Sequence, residues 1–287
     1  MGESDYVSLV REIINDRNAL VGRNGRTLCK IGATLRFSLE GGALPLLTTK
    51  RVAWKTCLKE LLWFISGSTS NKELNSKGVH IWDANADKDF LSSRGLSYDE
   101  GDLGPVYGHQ WRHFNAEYHG SKESYAGKGV DQLAQLVAQL SDEKTRSSRR
   151  LIMSAWNPLQ IAQMALPPCH VLCQFHVLND KLSCTMYQRS ADVGLGLPFN
   201  IASYSFLTHL LAKHCGLGTG DLVIFIGNAH IYMEHLEALT EQIENPIRPP
   251  PNLRIKRRAN SISEYCLADF VVGDYSHGNT VKMKLIA

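Results

Sequence analysis

Residues 166–189 read Leu166-Pro167-Pro168-Cys169-His170-Val171-Leu172-Cys173-Gln174-Phe175-His176-Val177-Leu178, then Asn179-Asp180-Lys181, then Leu182-Ser183-Cys184-Thr185-Met186-Tyr187-Gln188-Arg189. Two largely apolar runs flank a short polar segment, which predicts strands over 169–178 and 182–189 joined by a hairpin turn. Alternation puts Cys169, Val171, Cys173, Phe175 and Val177 on one face and His170 on the other. Further strands are predicted over 151–156, 28–39 and 222–226. Apolar spacing predicts helices at the N-terminus (Tyr6, Leu9, Val10, Ile13, Ile14), over 51–66, around Leu133 to Leu140 with Asp131 as N-cap, over 198–215 ended by Gly216, and over 232–243. Residues 85–130, rich in Gly, Ser, Asp and Lys, read as surface excursions. Helices and strands interleave while hairpins stay prominent, so the expected class is α+β, in a single domain over 1–287.

The chain has 287 residues, 44% hydrophobic and 21% charged, which excludes wholesale disorder. Its 31 basic and 28 acidic residues leave a net +3, which argues against a general nucleic-acid binder. The run Arg254 to Arg258 reads as a solvated strand end. The longest apolar runs, of which Leu61 to Ile65 is one, are far short of the roughly 20 residues of a membrane span, so no membrane partner is expected. Met1 to Asp5 lacks a secretory start, so a cytoplasmic location is expected, with the nucleus as the alternative. The seven cysteines include no Cys-x-x-Cys, and neither a disulfide framework nor a zinc site is expected.

Two prolines stiffen the backbone ahead of Cys169 and fix the direction of its side chain. A cysteine near an imidazolium or an arginine is a candidate nucleophile. The alternation fits a core cysteine equally well, and with His170 on the opposite face a hydrolase-type Cys–His pair between these neighbours is poor. Arg149-Arg150 before a strand, Arg189-Ser190 after one and Arg23 in a polar loop are either a phosphate clamp or solvated arginines. Glu60 falls at the edge of the apolar arc of its helix, as a boundary residue or as an acid at a pocket wall. Gly227 to Tyr232 reads as a turn able to present His230 and Tyr232. His230, Glu234 and His235 lack the His-Glu-x-x-His spacing, so no metal is expected.

Several motifs, in order, resemble thymidylate synthases: Leu46 to Arg51, Glu60 to Phe64, Asp102 to Gly108, Pro167 to His170, Tyr187 to Asp192 and Gly196 to Tyr204. The resemblance runs from about Arg23 to the C-terminus and favours the eukaryotic, monofunctional type. It implies a mixed β-sheet packed with helices and a sheet-to-sheet homodimer. It also implies conversion of dUMP to dTMP with 5,10-methylenetetrahydrofolate as carbon and hydride donor, releasing dihydrofolate. By the same resemblance Cys169 adds to C6 of the pyrimidine, Asn200 meets its O4/N3 edge, and Glu60, Tyr107 and His170 form the proton and water network. Arg23, Arg189 and Ser190 hold phosphate, joined by Arg149 and Arg150 of a second subunit, while His230 and Tyr232 hold the deoxyribose hydroxyl. Lys50, Ile81, Trp82, Asn85, Leu166, Asp192, Gly196, Phe199 and the terminal Ala287 match folate-facing positions, Asp192 holding the pterin and Trp82 shielding the methylene intermediate.

The chain departs from the family pattern at Asn228 for Asp, His109 for Phe, Asn115 for Gly, a shortened loop that leaves Arg26 as an alternative to Arg23, and Ala287 for a larger aliphatic residue. With no room for a fused dihydrofolate reductase, recycling of dihydrofolate is expected from a separate protein. The nearest rival is a dUMP/dCMP hydroxymethylase of the same fold. Asn200 argues for uracil over cytosine, and Trp82 for reduction over hydration. An RNA-binding autoregulator is the rival from another class, disfavoured by the near-neutral charge.

Overall fold

Asn179 and Asp180 adopt successive left-handed conformations, φ 51° and 56°, the backbone of a two-residue hairpin turn whose twist matches the flanking strands. The hairpin they close lies in a six-stranded sheet. The computed structural model describes residues 2–22, 25–284 and 286; Arg23 and Ala287 lie outside the described residues.

In chain order the elements are α1 (Glu3–Asp16), β1 (Ala19–Gly22), β2 (Gly25–Ser38), α2 (Trp54–Ile65), α3 (Asn71–Ser76), α4 (Asp83–Ala86), α5 (Lys88–Ser93), α6 (Tyr107–His113), α7 (Gln132–Ser141), β3 (Ile152–Ser154), β4 (His170–Leu178), β5 (Lys181–Asp192), α8 (Gly196–Cys215), β6 (Gly218–Tyr232), α9 (Leu236–Gln242), β7 (Leu253–Ile255) and β8 (Phe270–Val272). The sheet order is β1-β2-β6-β5-β4-β3, with β7 and β8 as a separate pair. Only β5 and β6 run parallel among the pairings of the large sheet. Helix α8 makes the crossover between them. It is apolar nearly all round and buried nearly all round, as a helix must be when sheet and other helices enclose it. Gly216, at φ 74°, ends it. Asp131 caps α7 by accepting from the Ala134 N–H at 2.9 Å.

One face of the sheet packs against α8 and α1, with α2 packed in turn on α8, burying Leu35, Phe37, Cys184, Met186, Ile224 and Ile226. The opposite face leaves large side chains in the open: Ile152 is 47% exposed, Tyr187 42% and Phe225 46%. Tyr187 and Phe225 are direct neighbours across β5 and β6.

Three expectations are corrected. The alternation through 169–177 is broken by a β-bulge between His170 and Leu172, so His170 pairs with Gln188 and Cys173 with Met186. His170 therefore shares the buried face with Cys173 instead of opposing it. Gly227 to Tyr232 is not a turn, because β6 continues to Tyr232 between β2 and β5. Gly227 suits that crowded ladder, since a Cβ there would stand 2.8 Å from the Arg189 carbonyl oxygen. Nor is 85–130 all surface: Tyr107, His109, Gln110 and Trp111 are buried, and Ala116, Tyr118 and Tyr125 form a second small core. Where the family carries Gly, Asn115 holds φ 65°, a left-handed geometry that Asn tolerates better than most residues.

Candidate active site

The β-bulge places His170 and Cys169 beneath the start of α6. The Cys169 N–H donates to the Tyr107 hydroxyl at 2.8 Å, and the Tyr107 ring stacks on the His170 imidazole at 4.6 Å between centroids. From β5, Arg189 reaches back over the strand start. Its Nε donates to the Pro168 carbonyl at 2.8 Å and its Nη2 to the Pro167 carbonyl at 2.9 Å. Nη2 also lies 3.8 Å from Cys169 Sγ, and the guanidinium sits over the Trp156 ring. The two proline carbonyls thus hold an arginine against the thiol. Burial pushes the Cys169 pKa up, and the Arg189 charge opposes that shift.

Asn200, the fifth residue of α8, is oriented from both sides. Its Oδ1 accepts from Gln188 Nε2 at 2.8 Å, and its Nδ2 stands 2.9 Å from His170 Nε2. Burial, helped by the Arg189 charge, lowers the His170 pKa to about 3, so the ring is neutral and Nε2 accepts from the amide. His170 Nδ1 and Gln188 Oε1 are buried without a partner among the described residues, places for water or a ligand's polar edge.

Across the opening, Glu60 on α2 accepts from the Trp82 indole N–H at 2.7 Å. Burial raises the Glu60 pKa to about 7, the indole bond opposing it. The Trp82 and Tyr107 rings stand edge to face, 6.3 Å apart. At the end of β5, Asp192 Oδ1 accepts from the Gly194 and Leu195 N–H groups at 2.9 and 3.2 Å. Lys50 is buried, with its ammonium donating to the Gly194 carbonyl; burial lowers its pKa to about 8 against the pull of Asp192. His230 is the register partner of Asp192 across β5 and β6, and its ring lies edge-on to Tyr232. Arg26 and Thr27 pair with Val21 and Tyr232, so the β1–β2 hairpin projects at this same end of the sheet.

Arg149 and Arg150 do not join this cluster. They are exposed, and the Arg149 carbonyl accepts from Gln174 Nε2. Gln174 is five positions along β4 from Cys169, roughly 16 Å at the rise of a strand. Among the described residues, no group of three or more His, Cys, Asp or Glu is placed to hold a metal ion, and no helix is long and apolar enough to cross a membrane.

The thymidylate synthase family profile matches residues 4–287. The chain belongs to the thymidylate synthase family. It is 50% identical over 286 residues to the thymidylate synthase of Homo sapiens, covering 99% of this chain and 90% of that protein. It is 47% identical to the thymidylate synthase of Ascaris suum, over 99% of this chain and 96% of that one, and 50% identical to that of Herpesvirus ateles, over 99% and 97%. As a thymidylate synthase family member the chain is an enzyme that methylates dUMP to dTMP, with 5,10-methylenetetrahydrofolate as co-substrate. The hydroxymethylase alternative is not favoured.

Two site residues escaped the sequence reading. Gln188 orients Asn200 and Trp156 lies under Arg189. Gln188 carried a signal, a buried-face position beside Arg189 where an apolar residue is the norm. Trp156 carried none beyond membership of a strand.

Proposed function

We propose that Cys169 is the nucleophile of this methylation and adds through Sγ to C6 of dUMP, within one thymidylate synthase domain spanning 1–287. The observation that carries the reading is the hold on Cys169, its backbone on the Tyr107 hydroxyl and its sulfur beside an Arg189 anchored on two proline carbonyls. Carbon 5 of uracil is a poor nucleophile, and a C6–S bond converts it into an enolate carbon. Negative charge then grows on O4. Asn200, oriented by Gln188 and His170, retains one amide hydrogen and one lone pair for the O4/N3 edge. Glu60, near pKa 7, exchanges a proton at O4 through the water held with Tyr107 and His170. Arg189 and Ser190 hold the phosphate, joined by Arg23, while His230 and Tyr232 hold the deoxyribose hydroxyl.

Bound folate supplies the one-carbon unit and the hydride and leaves as dihydrofolate. The residues fit such a flat, amide-edged group. Ile81, Leu166 and Phe199 pack on the core yet stay partly exposed. The described hydrogen bonds to Asp192 all fall on Oδ1, which leaves Oδ2 to accept from a pterin. Trp82, Asn85 and Gly196 complete that wall, with Trp82 excluding water. The Lys50 ammonium is taken up by the Gly194 carbonyl, so its part is to hold the Asp192 turn.

The active unit is a sheet-to-sheet homodimer. The exposed apolar face around Tyr187 and Phe225 supports it, as does the distance of Arg149 and Arg150 from their own Cys169: on the rim of that face they serve the neighbouring copy's phosphate site. Seven free thiols suit a cytoplasmic or nuclear setting. A separate dihydrofolate reductase must return the folate product, and the near-neutral charge leaves RNA autoregulation as a secondary role at best. Incubation with dUMP and methylenetetrahydrofolate, followed by dihydrofolate absorbance, tests the reading. Wild type forms dihydrofolate and dTMP; a hydroxymethyl product without dihydrofolate contradicts it.

A further inference from the structure

The bulge in β4 falls at Val171, between the register pairs of His170 and Leu172. The Val171 carbonyl accepts from two successive residues that follow β3, the Ala155 N–H at 2.8 Å and the Trp156 N–H at 3.3 Å. Ser154 Oγ donates to the Trp156 carbonyl at 3.2 Å. The next residue, Asn157, is buried, and its Nδ2 donates to Gln160 Oε1 at 3.0 Å. The backbone on both sides of the Trp156 side chain is thus fastened. The half-buried indole it presents carries the Arg189 guanidinium, whose carbon stands over the ring face at 5.8 Å from the centroid. None of the chemistry assigned above uses this ring.

Three successive carbonyls take up Arg189: that of Cys169 accepts from its backbone N–H at 2.9 Å, that of Pro168 from Nε and that of Pro167 from Nη2. The two side-chain bonds run along one edge of the guanidinium plane. Bonds along one edge still let the plane tilt about that edge, and Nη2, the atom 3.8 Å from Cys169 Sγ, swings with it. A ring against one face stops the tilt. It attracts the cation through its quadrupole, and a guanidinium gives up little hydration in stacking. A face covered by carbon also leaves less water to screen the charge from the sulfur. The groups around the thiol come from several elements. Arg189 of β5 is the charge set against it, Tyr107 of α6 and His170 of β4 are neutral near pH 7, and Glu60 of α2 acts on the far side of Tyr107. Asn200 of α8 stands behind His170 and carries no charge. Any arginines lent by a second copy add the same charge whatever stands at position 156.

We propose that Trp156 is a positioning residue for the nucleophile: its ring face fixes the tilt of the Arg189 guanidinium, and so holds that charge on Cys169 Sγ in the free enzyme, before any nucleotide is bound. This deepens the reading of Cys169 as the nucleophile and rests on it. The bulge at Val171 then serves the site twice, setting His170 on the buried face and anchoring the platform under Arg189.

The test is the pH dependence of Cys169 alkylation by iodoacetamide in full-length, nucleotide-free enzyme, read on the Cys169 peptide by mass spectrometry so that the other six thiols do not enter. Trp156→Leu keeps an apolar side chain without a ring face, and Trp156→Phe keeps a weaker face. In Trp156→Leu the thiol pKa rises by about half a unit, so that alkylation at pH 7 slows about threefold. Trp156→Phe recovers at least about half of that shift, since every aromatic face attracts a cation. The pH profile of kcat/KM for dUMP moves in the same order. Arg189→Gln removes the charge and raises the pKa by itself, and adding Trp156→Leu to it raises the pKa no further, as a double-mutant cycle demands when one residue acts through the other. A Cys169 titration in Trp156→Leu identical to wild type overturns the proposal. So does a shift that persists in full in the Arg189→Gln background, or one equally large in the Phe and Leu variants, the mark of a merely structural tryptophan. Activity is followed on the same samples: alkylated Cys169 with undiminished dTMP synthesis overturns the nucleophile reading and with it any role of Trp156 in the reaction, whereas a titration blind to Trp156 overturns the role of Trp156 alone.

Discussion

Cys169 and Cys173 lie on one stretch of β4 and its approach, yet their surroundings differ chemically. Cys169 has Arg189 beside its sulfur, whereas Cys173 is sealed in the core, with Cys184 and burial pushing its pKa well up. Cys169→Ser should therefore abolish release of label from carbon 5 of dUMP, and Cys173→Ser should keep most of it. Asn200→Asp should move the ratio of kcat/KM for dCMP over dUMP up by at least about tenfold, since a site built to pair one polar edge rejects another. The carboxyl would face the acceptor Nε2 of His170 and must be protonated or force a proton onto the ring; an unchanged ratio means Asn200 does not read the base. Glu60→Gln keeps an acceptor for Trp82 but removes the ionisation. Between its unfolded pKa near 4.5 and its folded pKa near 7, native Glu60 holds a proton that the unfolded chain releases, so wild type loses stability as pH rises through that window. The variant should melt above wild type at about pH 8, converge toward it near pH 5, and be impaired in turnover. Cys169 and Glu60 were legible as candidates because each is an odd residue type for its place, a thiol after two prolines and an acid at the edge of an apolar arc, whereas Asn200 came only from the resemblance. Their assembly was not legible, because it depends on one bulged residue in β4, and a bulge leaves no mark in alternation of small hydrophobes.

The elements that carry these residues are set by close backbone approaches. Tyr107 opens α6, and the next residue, Gly108, has no room for a side chain: a Cβ would stand 2.4 Å from the Ser68 carbonyl oxygen. Gly108→Ala should cost about 1–3 kcal/mol as an overpacked contact against backbone and lower kcat by displacing the hydroxyl that holds Cys169. Urea midpoints and steady-state rates check both halves; a variant as stable and as active as wild type would show that α6 is free to shift. Strands β2, β4 and β5 and helices α1, α2, α7 and α8 followed from periodicity within a few residues, whereas β6 runs well past the expected 222–226. The segment 85–130 did not, because its polar composition hides buried polar pairing: Tyr118 donates to Asp102 at 2.6 Å, and Gln110 donates to Gln160 at 2.8 Å. Such pairing buries polar side chains that composition assigns to solvent. Gly227 to Tyr232 misled for the opposite reason, since Gly and Asn suggest a turn where two neighbouring strands enforce extension.

At the scale of the whole molecule, the proposed nucleophile belongs to one copy of the chain and the proposed phosphate clamp to two. The chain's own Arg149 and Arg150 lie along the sheet from Cys169, on the rim of an exposed apolar face. A twofold dimer through that face would make the proposed loan reciprocal. The most direct measurement is complementation between Cys169→Ala, which has no nucleophile, and Arg149→Ala/Arg150→Ala, which cannot complete its neighbour's clamp. Each is nearly inactive alone. Unfolded, mixed equally and refolded, they pair at random and give about half heterodimers, each with one site that keeps both Cys169 and the borrowed arginines, so about a quarter of all sites regain dTMP synthesis. A refolded mixture as inactive as its separate parents, beside refolded wild type that recovers, contradicts the shared site.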